Sequence, residues 1–199
     1  MPLGRRPGAP YVRCVSHRQQ VYAALVLAAL SVTFAFARPP AAGAASCASA
    51  SAIPGEASRS QLARAVVCVS NLERRAHGLR ALRVNRQLST AALRHSLDMV
   101  RRGYFAHTGP SGDTFVQRIR DAGYLTSART WVVGENLAWG WGAAASPSRI
   151  VRAWMHSPEH RKILLRSSYG EVGVGVVEAG PHPKAAPQAT FTAEFGVTD

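Results

Sequence analysis

Trp154-Met155-His156-Ser157-Pro158-Glu159-His160-Arg161 is the stretch on which the reading of this chain turns. Ser157 is a good helix N-cap, and Pro158 suits the first helical position, where a missing N–H costs nothing. Glu159 then falls in the first turn, where the helix dipole favours negative charge. Ile163, Leu164 and Leu165 add an apolar run that anchors a short helix. His160 is therefore presented near the start of that helix. A capped helix with a surface histidine would read the same way in isolation. Two upstream pieces offer partners: Phe105-Ala106-His107 and Gly134-Glu135-Asn136. The expectation is that His107, Glu135 and His160 converge in one cleft.

Working outward, the same cap logic at Ser146-Pro147 opens a helix whose buried stripe is Ile150, Val151, Trp154 and Met155. Upstream, Leu62, Ala65, Val66, Val69 and Leu72 recur at helical spacing, and Gly78 is a natural stop. Leu88, Ala91, Ala92, His95 and Met99 predict a second helix over residues 88–102, ended by Gly103. In that reading His95 packs on the helix face near Met99. Asp113 is the expected cap of a third helix running to about Ala122. Trp131-Val132-Val133 is β-like and delivers Gly134-Glu135-Asn136, while Trp139-Gly140-Trp141-Gly142 reads as a glycine-aromatic turn. Downstream, residues 171–178 and 190–197 read as two strands paired as a hairpin, with Gly173 and Gly175 marking close backbone approach. Helices followed by strands make an α+β layout, with helices packed on a small sheet.

The 199 residues suit one domain plus a processed leader. Arg5, Arg6, Arg13 and Arg18 precede an apolar run from Val21 to Phe36, too short for a comfortable membrane span, and Ala42-Gly43-Ala44 is a candidate cleavage site. Residues 1–44 are thus expected to be a signal peptide, 45–60 a linker and 61–199 the domain. The whole chain carries 24 Lys+Arg against 11 Asp+Glu, a formal charge of +13. The leader holds five of those arginines, so 19 basic residues face 11 acids beyond it, or +8. A basic exported domain suits anionic envelope polymers or lipid headgroups. A specific nucleic-acid partner is not expected: the arginines are scattered, and neither zinc-finger spacing nor an RNP-type aromatic motif occurs. Beyond the leader only Cys47 and Cys68 remain, and an even count in an exported protein favours a disulfide that ties the linker to the first helix. No P-loop, G-x-G-x-x-G, G-x-S-x-G or H-E-x-x-H motif is present.

Taken in order, Asn71-x-x-Arg74 with Gly78-Leu79-x-x-Leu82, His95-Ser96-x-Asp98-Met99, Phe105-x-His107, Gly134-Glu135-Asn136, Trp154-Met155-x-Ser157-Pro158-x-His160-Arg161 and Gly173-Val174-Gly175-Val176 resemble the CAP superfamily, also called SCP or PR-1-like, in its secreted bacterial form. The resemblance covers about residues 61–197. It implies an α-β-α sandwich, with a small antiparallel sheet between helical layers, and a large central cleft. In that family two histidines and two acids line the cleft and can hold a divalent metal such as zinc. His107, Glu135 and His160 match three of those positions. They are the candidate catalytic residues, with His107 and His160 the candidate metal ligands. The fourth position, an acid three residues after the tryptophan of the fourth helix in animal and plant members, is Ser157 here; Glu159 and Glu171 are the substitutes at hand.

Two functions follow as expectations. The first is a secreted, non-catalytic module that binds lipid, peptide or cell-envelope glycan in the His/Glu-lined cleft. The second is a metal-dependent, peptidase-like hydrolase using the His-Glu-His site. A His-Glu-His network without metal, aided by the Asn136 amide, is equally consistent with the residues. The expected protein is a monomer without a membrane span after processing. Trp131, Trp139 and Trp141 either line a groove or cover one edge of the sheet.

Overall fold

The computed structural model describes residues 47–199. The expected signal peptide lies outside the described residues. Helix α1 spans Arg59–Ala76 and is entered through a capping box in which Ser58 and Gln61 exchange hydrogen bonds. Its buried face contains Leu62, Ala65 and Val66. A two-residue strand β1 (Arg83–Val84) leads into α2 (Arg86–Arg102), capped by the Asn85 side chain and closed by Gly103 in the left-handed conformation. After α3 (Phe115–Asp121) come β2 (Trp131–Trp141), a 3-10 turn at Gly142–Ala145, α4 (Pro147–His156), α5 (Pro158–Leu164), β3 (Glu171–Val177) and β4 (Gln188–Thr198).

The four strands form one sheet in the order β1-β3-β4-β2. β3 and β4 make the expected antiparallel hairpin, and β4 also pairs antiparallel with β2. The sheet is mixed, because the short β1 adds itself parallel to Glu171 and Val172. One face of the sheet packs on α1, α4 and α5 through Leu62, Val66, Trp154, Val174, Phe191 and Phe195. On the other face lie α2 and α3, with Leu88, Ala91 and Ile119 at the centre of a smaller cluster. This is the α-β-α sandwich. Gly173 and Gly175 are what let α2 lie on β3: a Cβ at either would collide with the α2 backbone, at Ser89 or at Leu93.

Two local expectations are corrected. Trp139-Gly140-Trp141 is not a turn; it continues β2 and pairs with Thr190, Ala189 and Gln188 of β4. The chain turns only at Gly142, whose φ of 51° favours glycine. The cap of α3 is Thr114, whose hydroxyl accepts from the Gln117 N–H at 3.3 Å. Asp113 is instead held by Arg118 at 3.2 Å.

The motif Asn71-x-x-Arg74 is structural. Asn71 makes two bonds to the backbone of Leu82, fixing the approach to β1. Arg74 is fully buried and donates to four backbone carbonyls, those of Arg80, Leu164, Arg166 and Tyr169, at 2.8–3.2 Å. It has no carboxylate partner among the described residues; burial lowers its pKa, and the carbonyl fork satisfies the guanidinium. That fork ties α1 to the end of α5 and to the approach of β3, which together form one wall of the site below. The Cys47–Cys68 disulfide is present, with Cα atoms 5.7 Å apart, and pins the segment before α1 to that helix. Ala50 and Gly55 hold the same segment through bonds with Ser148 and Glu178.

Candidate functional site

β2 is an edge strand, and a cavity of about 320 Å³ opens beside it. Phe115 of α3 and His107 of the preceding loop form one side, and His160 and Ile163 of α5 form the other. Gly134, Glu135 and Asn136 make the floor, and Tyr169 and Arg166 close one end. The three residues singled out from the sequence, His107, Glu135 and His160, therefore line one cavity.

Each residue of Gly134-Glu135-Asn136 has its own task. Gly134 leaves room for the Tyr169 hydroxyl, which would collide with any Cβ placed there. Asn136 is fully buried, and its Nδ2 donates to the His160 carbonyl at 3.0 Å, docking α5 onto the sheet. Glu135 points to the opposite face, as strand alternation requires. Its Oε1 accepts from His107 Nδ1 at 2.7 Å, and its Oε2 accepts from Arg118 Nη2 at 2.8 Å. Arg118 also donates to the His107 carbonyl, so it orients the histidine from both ends. The His107 ring is 54% exposed while the Glu135 carboxylate is 1% exposed, so the histidine carries the buried charge's influence to the cavity surface. With Nδ1 engaged by Glu135, Nε2 is the nitrogen that His107 has left for the cavity.

Glu135 belongs to a larger buried group that the sequence reading passed over. Glu194 is its direct partner across the β2–β4 ladder and is fully buried. Burial first, and then the adjacent Glu135 charge, push the Glu194 pKa well above the carboxylate range, so Glu194 is a neutral acid. Burial also opposes ionisation of Glu135, but the bond from His107 and the charge of Arg118 outweigh it and hold its pKa down. His95 is on α2 as expected and fully buried, but its role is not only packing. Its Nε2 donates to the Ala106 carbonyl at 3.0 Å and stands 3.8 Å from Glu135. Burial lowers its pKa and keeps it neutral. The signal for Glu194 was legible: it is the sole charged residue between Lys184 and Asp199. Arg118, one of two arginines in α3, carried no such mark.

His160 sits as expected in the first turn of α5, half-buried, with Nδ1 paired to the Ser157 hydroxyl at 2.7 Å. Ser157 thus serves the histidine rather than capping the helix with its side chain. Burial, and then the nearness of His107, lower the His160 pKa. Of the two substitute acids, Glu159 lines the cavity, whereas Glu171 bonds Tyr124 and Asn85 elsewhere.

Glu135 does not fit as a third ligand to the divalent ion implied at His107 and His160. Among the described residues no group of three or more His, Cys, Asp or Glu side chains is arranged to hold a metal. Both Glu135 oxygens are already engaged, one of them by a guanidinium that would repel a dication. Arg118 is the fixed cation of this carboxylate.

Fold and site together define a CAP-type sandwich, and the comparisons agree. The model of the CAP family, the cysteine-rich secretory protein family, matches residues 69–195. The chain belongs to that family. It is 36% identical over 117 residues to YkwD of Bacillus subtilis (strain 168), which covers 58% of this chain and 42% of that protein. Over 113 residues it is 33% identical to the membrane protein YlbC of the same organism, covering 56% and 30%. The chain therefore spans less than half the length of these relatives. Among solved structures, an outer surface protein of Borrelia burgdorferi superposes with a TM-score of 0.56 at 22% identity, covering 67% of this chain and 90% of that one. An extracellular SCP-domain protein of Bacillus anthracis gives 0.53 at 23%, covering 71% and 44%. Those two likenesses show the fold alone.

Proposed function

We propose that this domain is an exported binding module whose His107/Glu135/His160 cavity takes an amide-bearing ligand, a peptide segment or an N-acetylated envelope glycan. One observation carries the reading. Two polar atoms of cavity-lining residues, Asn136 Oδ1 and the Tyr169 hydroxyl, are buried without a hydrogen-bond partner. Burial raises the Tyr169 pKa, so the hydroxyl remains a donor. An amide group offers the matching donor and acceptor, and Phe115, Val133 and Ile163 supply apolar contact around it. A hydrocarbon chain would leave both atoms unpaired. Export is supported by the leader-like start, by the disulfide, which persists in oxidising compartments, and by an outer surface protein and an extracellular protein among the structural relatives. Among the described residues no helix is long and apolar enough to cross a membrane.

Isothermal titration with N-acetylglucosamine oligomers and with short uncharged peptides tests the reading. Tyr169→Phe removes only the hydroxyl and is expected to weaken binding about tenfold. Heat signals absent for both ligand classes, or an affinity unmoved by this substitution, would count against it.

A further inference from the structure

The opposite edge of the sheet carries a second groove, remote from the histidines. β1 pairs only with Glu171 and Val172, so on that side β3 runs on from Gly173 to Val177 with no strand beside it among the described residues. A cavity of about 430 Å³ lies along this stretch, between α1 and α2, lined by Arg59, Ala63, Arg64, Ser89, Leu93 and Val174–Val176. A smaller one continues it past Val67 to Val84. Val84 and Leu93 are two of the few large apolar side chains that the fold leaves exposed, at 63% and 39%.

Strand geometry says what the groove offers. The N–H and C=O of one strand residue point the same way, and the direction alternates along the chain. Val172 accepts from the Asn85 N–H on the β1 side. Val174 and Val176 therefore turn their N–H and C=O groups to that same side, where β1 has ended because Asn85 is already capping α2. Among the described residues no strand pairs with these four groups. The side chains alternate at right angles to them: the Gly173 and Gly175 positions face α2, and Val174 and Val176 face the α1 core. So the groove presents a row of backbone donors and acceptors, apolar walls, and two arginines as its charged residues.

We propose that this edge is a β-augmentation site, which takes an extended peptide segment bearing acidic residues as a fifth strand beside β3. The ladder supplies affinity, alternate side chains enter the apolar walls, and an acid pairs with Arg59 or Arg64. Charge selects the occupant. A second copy of this chain laid edge to edge would bring the same arginines together, and the chain as a whole is strongly basic. A fatty acyl chain would match the walls and the arginines but would leave the Val174 and Val176 backbone groups unpaired. This site is separate from the histidine cavity, and neither reading depends on the other.

The test uses a fluorescein-labelled octapeptide that alternates valine and threonine and ends in two aspartates, with binding read by anisotropy. Expected are saturable binding, slowed hydrogen exchange at the Val174 and Val176 amides, and a loss of tenfold or more with Arg64→Glu. Peptide N-methylated at alternate residues keeps its side chains but cannot form the ladder, and should not bind. Tyr169→Phe should leave the affinity unchanged. The proposal is overturned by absence of saturable binding, by equal binding of the N-methylated peptide, or by a dimer in sedimentation that Arg64→Glu strengthens.

Discussion

Glu135 on β2 and Glu194 on β4 stand opposite one another in the antiparallel register, both buried, with a single negative charge between them. Two carboxylates at this spacing cannot both ionise away from water. Arg118, His107 and His95 gather around Glu135, so the charge settles there and the proton stays on Glu194. An acid whose folded pKa is raised contributes stability that is fully present below its ordinary value of 4.5 and is lost as pH rises toward the folded value. Glu194→Gln keeps the shape without the liability to ionise. The variant should therefore be more stable than the parent at pH 7. The gap should close below pH 4.5, as chemical denaturation at the two pH values would show.

His95 tests the opposite sign. Its folded pKa is lowered, chiefly by burial, so the parent loses stability as pH falls below its ordinary value of 6.5. His95→Gln can keep the donor to the Ala106 carbonyl and cannot take up the proton. Between about pH 7 and pH 5.5, which brackets that ordinary value, its unfolding midpoint should move less than that of the parent. An equal slope for both proteins would mean that His95 does not titrate on unfolding in this range.

Arg118→Met removes the guanidinium that occupies Glu135 Oε2. Leaving a buried carboxylate short of its partner should cost about 3 kcal/mol of stability. The same change frees an oxygen for a cation beside His107. Zinc titration followed by calorimetry should then show at least a tenfold gain in affinity over the parent. Tight zinc binding by the parent, lost on Glu135→Gln, would contradict the fit argued from the donors.

Much of this was legible from residue order. The cap-and-proline pairs at Ser146 and Ser157 marked α4 and α5, because a proline at a helix start has few other comfortable places. The cavity triad was legible because histidines and an acid in ordered motifs carry chemistry on their face. Three features were not. Trp139-Gly140-Trp141 looked like a turn because glycine usually breaks strands, yet Gly140 is there for space: a Cβ would stand 3.2 Å from the Ala144 carbonyl. Arg118 was hidden because its partners come from a loop and from another strand, a pairing set by tertiary packing alone. The unpaired edge of β3 was invisible because it is defined by where β1 stops, and a two-residue strand leaves almost no periodicity to read.

The disulfide offers a simpler measurement. It closes a separation of 21 residues, and nothing in the chain-entropy argument depends on the cavity. Replacing Cys47 and Cys68 together by serine should lower stability by about 3 kcal/mol while leaving the fold of residues 59–198 intact. Urea unfolding of the double variant, with circular dichroism to confirm the native signal, is the check.

Arg74 makes the strongest claim about the fold. Its guanidinium joins α1 to the carbonyls of Leu164, Arg166 and Tyr169, and so sets where Tyr169 and α5 stand relative to the cavity floor. Arg74→Ala orphans those buried carbonyls and leaves a void, for a loss of about 3–5 kcal/mol. Arg74→Lys keeps the charge, but three donors on a point-like head cannot reproduce the fork. It should recover less than half of that loss. Because Tyr169 hangs on this fork, the lysine variant should also bind cavity ligands more weakly than its stability alone requires. Denaturation and ligand titration on the same sample separate the two effects, and an unchanged ligand affinity would show that the cavity wall stands without Arg74.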